Sequence, residues 1–96
     1  MNERLTIPEE NVDWRTKGVW WPDGSVSLEG FAQRAGNLFT GPFTWPLMVL
    51  REPELTRNIT ALAAFTDQHG LAFAPHGKTS MAPALIQRQL DAGAWG

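Results

Sequence analysis

Cysteine is absent from these 96 residues, which removes disulfides and thiolate metal sites from anything the chain can build and suits a reducing compartment. Basic runs are missing too. Eight Lys and Arg stand against ten Asp and Glu, and a net charge of −2 with a pI near 5.5 has the wrong sign for a nucleic-acid partner. No apolar run approaches the roughly 20 residues a membrane span needs, and Met1 to Glu10 is too acidic and too broken for a signal peptide. Together these absences predict a cytoplasmic protein with neither nucleic acid nor membrane as partner. What is present, at 43% hydrophobic, is the composition of an ordinary globular chain.

Residues 1–44 read as an amino-terminal arm. Three of the five tryptophans, Trp14, Trp20 and Trp21, lie among prolines, glycines and charges without sustained periodicity. They are expected to cover a barrel or a neighbouring domain, with an aromatic ligand cage as the rarer use of such residues. Within the arm, Leu28, Phe31, Ala32 and Ala35 recur at helical spacing, which predicts a short helix over about 27–36, capped by Ser27 and stopped by Gly36. Gly41-Pro42 centres a loop.

From residue 45 to 96 the pattern becomes strand and helix in alternation. Pro46 to Leu50 is an uninterrupted apolar run, as suits a strand covered on both faces. Glu52-Pro53-Glu54 starts a helix whose inward stripe is Leu55, Ile59, Leu62 and Ala63; His69 sits in its last turn as a terminus residue, and Gly70 ends it. Leu71 to Ala74 is a second apolar strand. A second helix is predicted from about Met81 to Ala92, with Ala82, Leu85, Ile86 and Leu90 inward, Gln87, Arg88, Gln89 and Asp91 on the solvated side, and Gly93 as the stop. Ala94-Trp95-Gly96 approaches a third strand. A repeat near 25 residues fits right-handed βαβ crossovers, whereas a closed barrel takes eight such units. The expected fold is therefore α/β, the amino-terminal part of a larger parallel barrel, incomplete in this chain.

Chemistry concentrates at Pro75-His76-Gly77-Lys78-Thr79. A phosphate-cradling P-loop would want a glycine where Ala72 stands, and Pro75 removes a backbone amide from the cradle. Two readings stay open. Lys78 is either a solvated loop residue or a Schiff-base amine at the carboxyl end of a strand, held against apolar residues where desolvation favours the neutral nucleophile. Thr79 or Ser80 reads as the cap of the following helix, and Thr79 as a cap before it reads as a phosphate ligand.

The run Ala74-Pro75-His76-Gly77-Lys78-Thr79, continued by Met81-Ala82-Pro83 and Arg88-Gln89-Leu90-Asp91-Ala92-Gly93-Ala94-Trp95-Gly96, resembles the amino-terminal region of the D-threonine aldolase and D-serine dehydratase family. This is the alanine-racemase-like class of pyridoxal 5′-phosphate (PLP) enzymes. About half the chain takes part in the likeness, which reaches back weakly through Arg57-Asn58 to Pro46–Leu50.

By this resemblance the fold would be the start of a PLP-binding (β/α)8 TIM-type barrel. Lys78 would be the catalytic and cofactor-binding residue, holding PLP as an internal aldimine, displaced by a D-amino acid and then acting as base. His76 would join it at the cofactor or merely cap the strand end. The aldolase branch usually has arginine at the position of Ala74 and His-Lys at that of Ser80-Met81, so the departures point toward D-serine deaminase-like members. The resemblance implies a homodimer at full length, no metal ligand within these residues, and a divalent metal held, where one is used, by residues beyond them. The fragment alone is expected to be inactive. The rival expectation is a non-catalytic PLP carrier or a truncated gene product.

Overall fold

The computed structural model describes residues 4–96; the first three positions of the predicted arm lie outside the described residues. Two compact units divide the chain. One is Pro8–Val49, and the other is Leu50–Gly96 together with the described residues up to Ile7. The division falls between Val49 and Leu50, where the sequence pattern placed it between 44 and 45.

In Pro8–Val49 two strands of two residues each, β1 (Asn11–Val12) and β2 (Val26–Ser27), pair antiparallel, with Asn11 opposite Ser27 and Val12 opposite Val26. Such short strands leave no periodicity in the sequence, so this part of the predicted arm hid a small sheet. Ser27 then caps α1 (Leu28–Arg34): its Oγ accepts the Gly30 N–H at 3.0 Å, satisfying a backbone donor that a helix start leaves free. Gly30 lacks a Cβ for a packing reason, since one would meet Val26 Cγ2 at 2.9 Å. Gly36, at φ 67°, turns the chain away as expected.

The aromatics partly find each other within this unit. Trp21 meets Phe31 edge-to-face at 5.6 Å, and Phe31 meets Phe43 likewise at 5.8 Å. Trp14 and Trp20 stay exposed. Val12, 2% exposed, and Ala35, 7% exposed, are the buried apolar residues among those described. Arg15 grips Asp13 through two nitrogens, and this side-chain hydrogen bonding, helped by the Arg15 backbone N–H, holds the Asp13 carboxyl below its ordinary range.

The second unit carries α2 (Glu52–Gln68) and α3 (Pro83–Asp91). Pro53 and the two carboxylates occupy the first turn of α2, and Gly70 at φ 63° ends it with the Leu71 N–H returning to the Thr66 carbonyl at 2.9 Å. His69 is the C-cap residue; its Nδ1 lies 2.8 Å from the Phe65 carbonyl oxygen, a bond that needs the proton on Nδ1. Arg88 reaches from α3 to Glu52 at 2.7 Å and to the Thr56 hydroxyl at 2.7 Å, which ties the two helices together.

Two expectations change here. The side of α3 taken as solvated is in part structural: Gln87 is 7% exposed, and its Oε1 accepts the Leu5 N–H at 2.7 Å while its Nε2 donates to Asp91 Oδ1 at 2.9 Å. The reason is that Leu5 brings a backbone donor that needs an acceptor, which outweighs the helical pattern. The other change concerns the strands. Pro46–Leu50 and Leu71–Ala74 form no ladder among the described residues, and Met48 is 95% exposed. A strand is defined by its neighbour's hydrogen bonds; here the second run receives one, from the Trp95 N–H to the Phe73 carbonyl at 2.7 Å. No described helix is long and apolar enough to cross a membrane.

Replacing Gln87 with Ala should leave the Leu5 amide without its acceptor. We expect a loss of about 1–3 kcal/mol in urea unfolding and faster hydrogen exchange at Leu5. Unchanged Leu5 protection would contradict this role.

Candidate active site

Lys78 opens a turn between the extended segment 71–77 and α3. The turn is closed by the Met81 N–H, which donates to the Gly77 carbonyl at 2.9 Å and so rings Lys78, Thr79 and Ser80. Met81 lies at φ 47° and is the one non-glycine residue at positive φ among those described. An L-residue there is disfavoured by about 1–2 kcal/mol. Its side chain is 77% exposed, so packing of that side chain does not hold the conformation. Ala82 follows in extended geometry at φ −112° and ψ 101°, as the residue before a proline must, and Pro83 takes the first turn of α3.

That geometry corrects the predicted helix start. Neither Thr79 nor Ser80 caps α3: the N-cap position belongs to Ala82 and has no side-chain hydrogen bond, while Ser80 Oγ accepts the Ala82 N–H at a long 3.5 Å. Pro83 is what moves the boundary, because it forces Ala82 out of helical geometry and sets the first turn two residues later than the sequence pattern suggested.

Beside the turn lies a hollow of about 180 Å³. Leu55 and Ile59 of α2 and Leu85 of α3 form its apolar side, and His76, Thr79, Ser80 and Gln89 line the rest. The fold thus gathers His76 with two hydroxyls and an amide. Lys78 is not among the lining groups; it is exposed, as is His76. A continued strand register would have put His76 and Lys78 on one face, but the extended path stops at Gly77 and the turn sends the lysine elsewhere. Gln89 is the group the sequence pattern missed, since it was read as solvated. Its spacing of four from Leu85 on α3 was the available signal.

The apolar enclosure expected around the Lys78 amine is not supplied by the described residues. What they supply is access: a primary amine on a closed turn, with an imidazole two positions before it. Among the described residues no group of three His, Cys, Asp or Glu comes together to hold a metal ion. A scan against protein-family models and searches of curated proteins and of solved structures returned no match for this chain.

Gly77 has a packing role. A Cβ at this position would meet Ile86 Cδ1 at 3.1 Å, so the turn lies close against α3. Gly77→Val should push the two apart at a loss of about 1–2 kcal/mol, and Gly77→Ala should lose less, because the end of Ile86 can give way. Urea unfolding followed by far-UV circular dichroism measures both; a valine variant as stable as the parent would contradict the close packing.

Proposed function

We propose that this chain carries the reactive lysine of a PLP-dependent lyase acting on D-amino acids, of the D-serine deaminase or D-threonine aldolase kind, in the cytoplasm. The observation that carries the reading is the placement of Lys78 in the turn that leads from the apolar run 71–74 into α3, the kind of position at which α/β proteins hold their chemistry. The single Trp95–Phe73 rung supports it, because it joins the extended segments on either side of α3 as a βαβ crossover would.

Of the described residues, Lys78 would be the group to meet the aldehyde end of the cofactor; it is exposed and lies off the hollow that His76 lines. Lys78 Nζ would hold the cofactor through its aldehyde, and the same amine, when free, would accept the α-proton of a substrate. His76 would donate a hydrogen bond to the ring or its phosphate, or serve only to cap the end of the segment before the turn. PLP, when bound, supplies the electron sink for cleavage at the α-carbon. This reading also calls for a phosphate cup and a partner for the pyridine nitrogen.

Two measurements test the proposal. The chain has two lysines, Lys17 and Lys78, which makes Lys17 an internal control. After incubation with PLP and reduction with borohydride, peptide mapping should find the cofactor chiefly on Lys78. Equal modification of both would overturn the assignment. Separately, the 96-residue chain with PLP should show no turnover of D-serine, since an amine without the rest of its site cannot hold the reactants in attack geometry; steady pyruvate release would remove the need for a larger barrel.

A further inference from the structure

The bend before β2 brings a carboxyl group and an unengaged backbone amide together. Asp23 and Gly24 form it, between Pro22 and Ser25, and all four residues are exposed. Gly24 takes φ 78°, and a Cβ on it would have no heavy atom within 4 Å. Among the described residues the Gly24 N–H donates to no acceptor, and the Asp23 carboxylate joins neither a hydrogen bond nor an ion pair.

The chain's other three aspartates are held. Asp13 is gripped by Arg15, and the bulky Trp14 follows it. Asp67 lies inside α2, with Gln68 still in the helix. Asp91 ends α3: its Oδ1 accepts from Gln87 Nε2 at 2.9 Å, and the next N–H, that of Ala92, is already given to the Arg88 carbonyl at 3.1 Å. Every aspartate has a backbone nitrogen one residue on, at the high effective concentration of a neighbouring group. What sets Asp23 apart is that neither partner is engaged, and that glycine puts no side chain in the path of attack and accepts the rotation a ring demands.

We infer that Asp23 isomerises spontaneously to an isoaspartyl residue, which makes Asp23-Gly24 a modification site of this protein. The Gly24 nitrogen attacks Asp23 Cγ; the new N–Cγ bond closes a five-membered succinimide, and the carboxyl OH leaves with the amide proton as water. Solvent water then opens the ring. Attack at Cγ restores aspartate, whereas attack at the backbone carbonyl carbon breaks its bond to the Gly24 nitrogen and leaves the chain running through Cγ, with a free α-carboxylate. The product adds one methylene to the backbone between Trp21, packed on Phe31, and β2. Its α-carboxylate is the group that isoaspartyl methyltransferases esterify from S-adenosylmethionine. The inference is independent of the reading of Lys78.

The test ages the 96-residue chain for some weeks at neutral pH in heavy-oxygen water, with and without urea, and maps isoaspartyl peptides by mass spectrometry. In the folded chain isoaspartate at position 23 should exceed that at Asp13, Asp67 or Asp91 by at least about tenfold, as proximity without competing bonds allows. A level equal to theirs overturns the inference. Unfolding in urea should raise the three held aspartates and leave Asp23 little changed; a large rise at Asp23 would show that the fold had been protecting it and would overturn the inference as well. Methyl transfer from labelled S-adenosylmethionine gives a second readout. Asp23→Glu, whose ring is larger and slower to close, should lose that signal with far-UV circular dichroism unchanged, and a glutamate variant that accepts methyl groups as the aged parent does places the modification elsewhere and overturns the assignment.

Discussion

An extended segment has no hydrogen bonds of its own, so whether it becomes a strand is decided by what lies beside it. In the unit built on Leu50–Gly96 that constraint comes down to one bond, from the Trp95 N–H to the Phe73 carbonyl. It joins the chain entering the Lys78 turn to the chain leaving α3. Within that span Gly77 lies close against α3, where a Cβ would meet Ile86 Cδ1 at 3.1 Å. Position 78 inherits its place from that closure.

The same unit shows what happens when apolar faces lack a second layer. Leu62, Phe65, Leu71 and Trp95 are exposed, and the one buried residue of α3 is the polar Gln87. Apolar area left in water contributes nothing to stability, at about 25 cal/mol per Å² forgone. Order in this unit therefore leans on local devices: the Gly70 and Gly93 helix stops, the proline-started helices, and the Arg88 link to Glu52 and Thr56. An exposed ion pair of this kind contributes about 1 kcal/mol at most. Helices α2 and α3 carry stripes suited to a sheet, and the extended runs Pro46–Leu50 and Leu71–Ala74 have the composition of strands covered on both faces.

Helices were readable because their signals are local. Ser27, Pro53, Gly36 and Gly70 each act within four residues of themselves, and the described helices begin or end beside them. The start of α3 was misread because two local signals compete there: Thr79 and Ser80 resemble caps, while Pro83 dictates the geometry of Ala82 and wins by steric exclusion. The paired strands β1 and β2 were too short to leave a period. Gln87 was invisible for a different reason, since its partner is the backbone of Leu5, and no pattern within α3 records a donor arriving from the other end of the sequence. Of the candidate site, Lys78 and His76 were the residues that the motif singled out. Their separation, with His76 on the hollow and Lys78 off it, depended on a turn closed through Met81, which strand periodicity does not encode.

That separation bears on the chemistry. Lys78 is exposed, and the apolar surface formed by Leu55, Ile59 and Leu85 belongs to the hollow that His76 lines and the lysine does not. The turn fixes position, and the enclosing layer has to supply reactivity. A chain with the first and without the second presents its lysine in place and in water. Leu71 and Trp95, before and after α3, are left uncovered within this unit.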